Sequence, residues 1–460
     1  MSKASIAERL ADYALNLTYE EIPELGRIKA KDAVIDYIGC IIGAEHTAEA
    51  AIINDLVLRE AGIAEATMIG SWQKSSALYS AMANAYKCHI LEFDDGVCGM
   101  HTGATILPAA IAAAEQAGAT GRNLVRAIVL GIETAGRICL AAGVSQNKYW
   151  HSTATCGVFG AAMASGIILG LNREQLVWSL GNAGTMASGL WEFNKEGNMS
   201  KYLHCAKAAH DGLLASMLAG RGFTGARTII EGEKGFIVSH SDERHPERFF
   251  ETLGSEYMID RLSVKPFPSC SHTHAAISAA LQIKERHGIR AEDIEQIMIT
   301  TYADAIATAR HNTTFRTPRE ARFSISGSVS AALLRGRIDK NTYSVEMIHD
   351  PELLKLVAKT EIKTDDEMTG NYPSQWAASV EVLTGTNHYQ VTEREPWGDL
   401  RDTIPREKLA TKYQQLTEGV LNKKCAELLW QRCLELDQLC DISRLFEGME
   451  DGPQTTKYML

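Results

Sequence analysis

The chain is 460 residues long, 45% hydrophobic and 22% charged, enough apolar material for two or three packed domains and too much for intrinsic disorder. Its net charge of −11 leaves no basic surplus to neutralise phosphates, which argues against nucleic acid and against an anionic membrane surface as partners. An anionic small molecule would have to be held by a local group of cations.

Along the chain the first half reads as helix. Apolar residues recur at three- and four-residue spacing in 7–17 and 20–43, for instance Ile28, Ala33, Ile35 and Ile38, and again in 105–117, 123–142, 160–171, 173–187 and 206–219. Gly118, Gly170, Gly181 and Gly220 are the expected stops. Residues 153–172 carry no charge, but small residues such as Gly157, Gly160 and Ala164 dominate; a buried central helix is expected there, and not a membrane span.

The texture changes near Ser263. Ile297, Ile299 and Thr301 alternate along one strand, and 379–392 reads as two strands around Gly385-Thr386-Asn387, with helices between. After Pro405 the helical period returns through Leu409, Tyr413, Leu416 and Val420. The expectation is a mainly α protein: residues 1–262 and 403–460 form one large helical domain, and 263–402 a smaller α+β lid. Ten cysteines are scattered without a C-x-x-C pair, and Glu8 stands where a signal peptide would have its apolar run. A reduced, cytoplasmic setting is expected.

Two stretches concentrate chemistry. His89-Ile90-Leu91-Glu92-Phe93-Asp94-Asp95, followed by His101-Thr102-Gly103, brings together three carboxylates and two imidazoles. Lys265-Pro266-Phe267-Pro268-Ser269-Cys270-Ser271-His272-Thr273-His274 sets a cation, a thiol and two imidazoles on a Pro-stiffened segment. Such groups move protons and hold carboxylates, which points to acid/base catalysis on an anionic small molecule. No pair has the spacing of a zinc signature, so no metal is expected, and neither a Walker-type loop nor G-x-S-x-G is present.

These stretches, with Pro108-Ala109-Ala110, Gly131-Ile132-Glu133, Trp150-His151-Ser152-Thr153, Gly197-Asn198-Met199-Ser200-Lys201, Gly222-Phe223-Thr224-Gly225 and Ala321-Arg322-Phe323-Ser324, resemble the MmgE/PrpD family. That family includes 2-methylcitrate dehydratases, cis-aconitate decarboxylases and an iminodisuccinate epimerase. The resemblance implies a helical domain built from both chain ends, a smaller lid, a homodimer, and an active site between the domains without an organic cofactor. It also places His101 and His151 in the site. Proton chemistry is expected from His101 and His151, with Asp94 or Asp95 orienting one imidazole and Cys270 as a secondary donor. Lys201 and Lys265 are the expected carboxylate holders, assisted by Glu92 and His272.

The chain departs from the family pattern in several places. Glu92 replaces the Asp that heads D-F-D-D, and Gly96 stands where Thr is common. Gly327 stands where the family often has Tyr, and Cys270 where the animal decarboxylases have His. Two proton donors are thereby lost, which makes decarboxylation the least secure activity to carry over. The expectation is a hydro-lyase acting on a di- or tricarboxylate, with epimerisation of an iminodisuccinate-like diacid next, and a non-catalytic carboxylate-binding protein as the contrasting class.

Overall fold

In the computed structural model, described for residues 4–60, 62–195, 198–309, 312–385, 387–395 and 404–450, the backbone is mainly α-helical, as the periodicity predicts. Gly197, Thr386 and the expected boundary at 402 lie outside these residues. The chain divides into two compact units. One comprises Met1–Ile90, Asp94–Val264 and Arg401–Leu460, the other Leu91–Phe93 and Lys265–Leu400.

The first unit runs α1 (Ile6–Asn16), α2 (Glu24–Ala44), α3 (Ala48–Glu60), the short pair β1 (Ala66–Thr67) and β2 (Lys74–Ser75), then α4 (Ala77–Cys88), α5 (Ile106–Ala117), α6 (Gly121–Ala142), α7 (Ser152–Ile168), α8 (Arg173–Met186), α9 (Ser200–Gly220) and α10 (Phe236–His240). Capping boxes open α1 at Ser5/Glu8 and α8 at Asn172/Gln175, each satisfying amides that a helix start leaves without intrahelical partners. Gly118 ends α5 in the left-handed region at φ 61°. Gly181, expected as a stop, lies inside α8. A Cβ there would fall 2.5 Å from the Ala226 amide nitrogen, so this glycine serves close backbone approach and does not terminate the helix.

Every residue of α7 is buried, the signature of a helix surrounded by others. A Cβ on Gly160 would stand 2.6 Å from the Gly131 carbonyl oxygen, so small residues set how near α6 and α7 pass. Among the described residues no helix is long and apolar enough to cross a membrane. The Gly131-Ile132-Glu133 motif has a structural use. Glu133 accepts from Arg137 Nε at 2.6 Å and from the Met258 amide at 2.7 Å, while Arg137 donates to the Phe249 and Glu256 carbonyls. A buried pair satisfied in this way pins the segment after α10 onto α6.

In the second unit α11 (His274–His287), β3 (Gln296–Thr301), α12 (Ala303–Thr308), α13 (Pro318–Arg322), α14 (Ile325–Arg335), α15 (Val345–Ile348), α16 (Pro351–Ala358), β4 (Thr360–Thr364), α17 (Asp366–Asn371), β5 (Ala378–Thr384) and β6 (Asn387–Glu393) follow in order. The sheet order is β4-β3-β5-β6, with β3 and β4 parallel and the other pairs antiparallel. Parallel neighbours need a crossover, which α12 to α16 supply. Ile297 faces Val382 and Ile299 faces Val380 in register. These residues form a buried core with Ile277 and Ala280 of α11 and Val329 and Leu333 of α14.

The last helices, α18 (Arg406–Thr417) and α19 (Lys423–Leu434), group with the first unit. On α18, Lys412 Nζ lies 2.5 Å from Asp36 Oδ1 and Arg406 Nη1 lies 2.6 Å from Asp32 Oδ1, both carboxylates being on α2. Lys412 and Asp36 are 3% and 2% exposed, so each charge depends on the other for its place in the interior.

Candidate active site

In the first unit His89 caps the C-terminus of α4, and Asp94 lies five residues on. The Asp94 oxygens are 2.9 and 3.0 Å from His89 Nδ1, and Asp94 Oδ2 is 3.3 Å from His101 Nδ1. The His101 amide donates to Thr153 Oγ1 at the start of α7, which ties the loop carrying His101 to the helix that His151 caps. Burial pushes the Asp94 carboxyl up, but the two facing imidazoles outweigh it and hold Asp94 well below the usual carboxylate range. An ionised Asp94 that accepts from His89 Nδ1 and faces His101 Nδ1 orients both rings and directs each Nε2 away from it.

Asp95 turns elsewhere. Its Oδ1 accepts from the Gly103 amide at 2.5 Å and from Thr102 Oγ1 at 3.4 Å, so it closes the loop that follows His101. Burial, and then the charge of Asp36, hold its carboxyl well above the usual range.

His151 is 2% exposed. Burial and then the Lys201 ammonium, followed by His89, His101 and His204, keep its imidazole well below its usual pKa, leaving a neutral ring with a lone pair. Lys201, in the first turn of α9, is itself buried. Successive ring centroids from His101 to His89, His151 and His204 are 4.4, 6.4 and 5.4 Å apart. The first unit therefore holds a file of four imidazoles with a buried ammonium acting on it. His204 carried no expectation in the sequence; its one signal is its place a helical turn after Lys201.

In the second unit Lys265 Nζ donates to the Glu92 carbonyl at 2.9 Å and lies 3.4 Å from Glu92 Oε2. Glu92 adopts φ 52°, a left-handed backbone that a non-glycine residue keeps only where its surroundings hold it. Cys270 is buried; its amide donates to the Arg322 carbonyl and its carbonyl accepts from Thr273. His272 Nδ1 is 2.7 Å from Tyr302 Oη, and its ring stacks on Trp376 with centroids 4.7 Å apart. Burial, and then Lys265, lower its pKa to about 4. At Gly327 on α14 a Cβ would stand 2.6 Å from Cζ of Phe315, so the Phe315 ring closes over the position.

His89, Asp94 and His101 each offer one ligand atom, all within 4.8 Å of one another, a nitrogen and oxygen set suited to a transition metal. Within this set Asp94 also accepts from His89 Nδ1 and faces His101 Nδ1. Gly220, Gly222 and Gly225 have G-x-G-x-x-G spacing, but the run leaves the end of α9 and does not follow a strand, so it lacks the context of a dinucleotide fingerprint.

Residues 8–248 match the MmgE/PrpD N-terminal domain and residues 267–436 the MmgE/PrpD C-terminal domain. The chain is 25% identical to a cis-aconitate decarboxylase of Aspergillus terreus, over 97% of this chain and 96% of that protein. It is 25% identical to the Mus musculus cis-aconitate decarboxylase, over 82% and 80%. With the 2-methylcitrate dehydratase of Salmonella typhi it shares 22% identity, over 86% and 87%.

Proposed function

The chain belongs to the MmgE/PrpD family, and on that premise we propose that it is a lyase moving a proton at a carbon beside a carboxylate of a di- or tricarboxylic acid. Hydro-lyase chemistry of the 2-methylcitrate dehydratase kind is the first reading. The observation that carries it is the file of His101, His89, His151 and His204 beside Lys201. A neutral His151 takes the proton at Nε2. Lys201 stabilises the negative charge that develops on the neighbouring carboxylate. His101, oriented by Asp94, gives its Nε2 proton to the departing hydroxyl, which leaves as water.

A second reading, cis-aconitate-type decarboxylation, is favoured by the near full-length similarity to the Aspergillus terreus enzyme. Against it stand Gly327, closed over by Phe315, and Cys270, which together leave no phenol and no imidazole at those two positions. The test is proton NMR in D₂O with 2-methylcitrate, citrate and cis-aconitate. Loss of water from a hydroxy acid supports the first reading, and release of CO₂ replaces it with the second. Deuterium exchange without either product would point to an isomerase, and no reaction or exchange with any acid would overturn the proposal.

A further inference from the structure

His151 is enclosed, yet a residue that takes and gives protons in every cycle must exchange them with water. Among the described residues, His204 is placed for this. His204 Nδ1 lies 3.3 Å from His151 Nδ1, and His204 is only partly buried. Trp191 packs on His151 with ring centroids 4.8 Å apart, Phe193 meets His204 edge-on at 5.1 Å, and the two aromatics stack on each other.

Gly189 completes the enclosure. Its carbonyl accepts from the His151 amide at 2.9 Å, and at φ 138° a Cβ there would meet His204 Cγ and Nδ1 at 3.3 Å and Ala154 Cβ at 3.1 Å. The absence of a side chain at 189 therefore leaves room for the second imidazole against the first.

We propose that His204 is a proton relay that carries, through the Nδ1 to Nδ1 contact, the proton that His151 takes from or gives to the reacting carbon. This rests on the lyase reading above. Two facing Nδ1 atoms share one proton, a donor on one ring and a lone pair on the other. When His151 gains a proton at Nε2, its Nδ1 proton passes to His204 Nδ1, and His204 releases its own Nε2 proton to water. In the reverse sequence His204 takes a proton from water at Nε2 and passes its Nδ1 proton back to His151 Nδ1, while His151 gives up its Nε2 proton and becomes a base again. The pair thus alternates between a base form and an acid form without net charge accumulating on the buried ring. The charged and titratable groups acting on His151 include Lys201 of α9, His89 at the end of α4, His101 of the following loop and His204, and of these His204 is the one whose Nδ1 meets His151 Nδ1.

The test uses the full chain with His204→Gln, which keeps polarity but cannot relay, and His204→Phe, which keeps the ring volume. With the panel acid turned over fastest, kcat of both variants should fall about 10- to 100-fold and recover with rising imidazole buffer, while native kcat should not depend on buffer concentration. A kcat within twofold of native, or a loss that imidazole does not restore in either folded variant, would overturn the relay. A second measurement needs no substrate. Exchange of the His151 ring proton with water, followed by ¹⁵N NMR, should slow about tenfold or more in both variants, and equal exchange in native and variant proteins would also end the proposal. An inactive native protein with slowed exchange in the variants would count against the lyase reading and leave the relay standing.

Discussion

At the scale of single residues, the proposed chemistry depends on His151 keeping a lone pair at Nε2 and His101 a proton at its own. His101→Gln and His151→Gln should each lower kcat by about 10²–10⁴, the range for loss of a general acid or base, with unchanged circular dichroism. Near-native turnover in either variant would remove that residue from the mechanism. His272 makes a different prediction, on stability. Its pKa is lowered to about 4, whereas the unfolded chain takes up that proton near 6.5. Between these values unfolding binds a proton, so this contribution is complete above about pH 6.5 and is lost as pH falls toward 4, at up to about 1.4 kcal/mol per pH unit. His272→Phe should show an acid branch shallower by about one proton in urea titrations, and an unchanged slope would contradict it. Some of this was legible in the sequence and some was not. Asp94 and His101 stand in one motif, and their nearness can be read from it. The approach of His204 to His151 spans residues 53 apart in sequence and is created by the packing of α7 against α9, so spacing alone could not disclose it. Asp95 sits beside Asp94 in sequence, yet the loop turns its carboxyl to a backbone amide.

At the scale of elements, the alternation of Ile297, Ile299 and Thr301 was readable because one face of β3 is buried, and that pattern survives any tertiary detail. β4 was not readable. In Thr360–Thr364 only Thr360 is fully buried, so an edge strand lacked the period that identifies a strand. Gly181 misled for a related reason: sequence shows a glycine, but only the packed structure tells a close approach from a stop. Two predictions belong here. Lys412→Met should destabilise the protein by about 3–5 kcal/mol, because it leaves Asp36 charged and buried. Asp36→Asn combined with Lys412→Met should recover part of that loss, read from the urea midpoint at constant m. Equal midpoints for the single and double variants would show that the pair is not coupled. On α14, Gly327→Ala should cost about 1–3 kcal/mol through its clash with Phe315, and Phe315→Leu should relieve that clash. If the Gly327→Ala penalty is the same in both backgrounds, the ring does not close over the position.

At the scale of the whole molecule, the charge of −11 repels the polyanions that the proposed site would take, while the attraction comes from buried cations that salt screens little. Raising ionic strength from about 10 to 150 mM, over which the Debye length shortens from roughly 30 to 8 Å, should therefore leave kcat/KM unchanged or raise it about twofold. A steep fall would reveal long-range attraction at the surface instead. The mainly helical fold was legible because composition and period both persist over long stretches, whereas the grouping of Leu91–Phe93 with the second unit leaves no trace in three residues of sequence. The pair between Asp36 and Lys412 also bears on time. The two residues are 376 apart in the chain, so at about 5–20 residues per second a ribosome makes the carboxylate roughly 20–75 s before the ammonium. Until then the contact by which Lys412 of α18 meets Asp36 of α2 cannot form, and the first unit lacks its last two helices while the second unit is made. A chain ended anywhere before α18 therefore keeps Asp32 and Asp36 on α2 but loses both cations, Arg406 and Lys412, that face them from the C-terminal end.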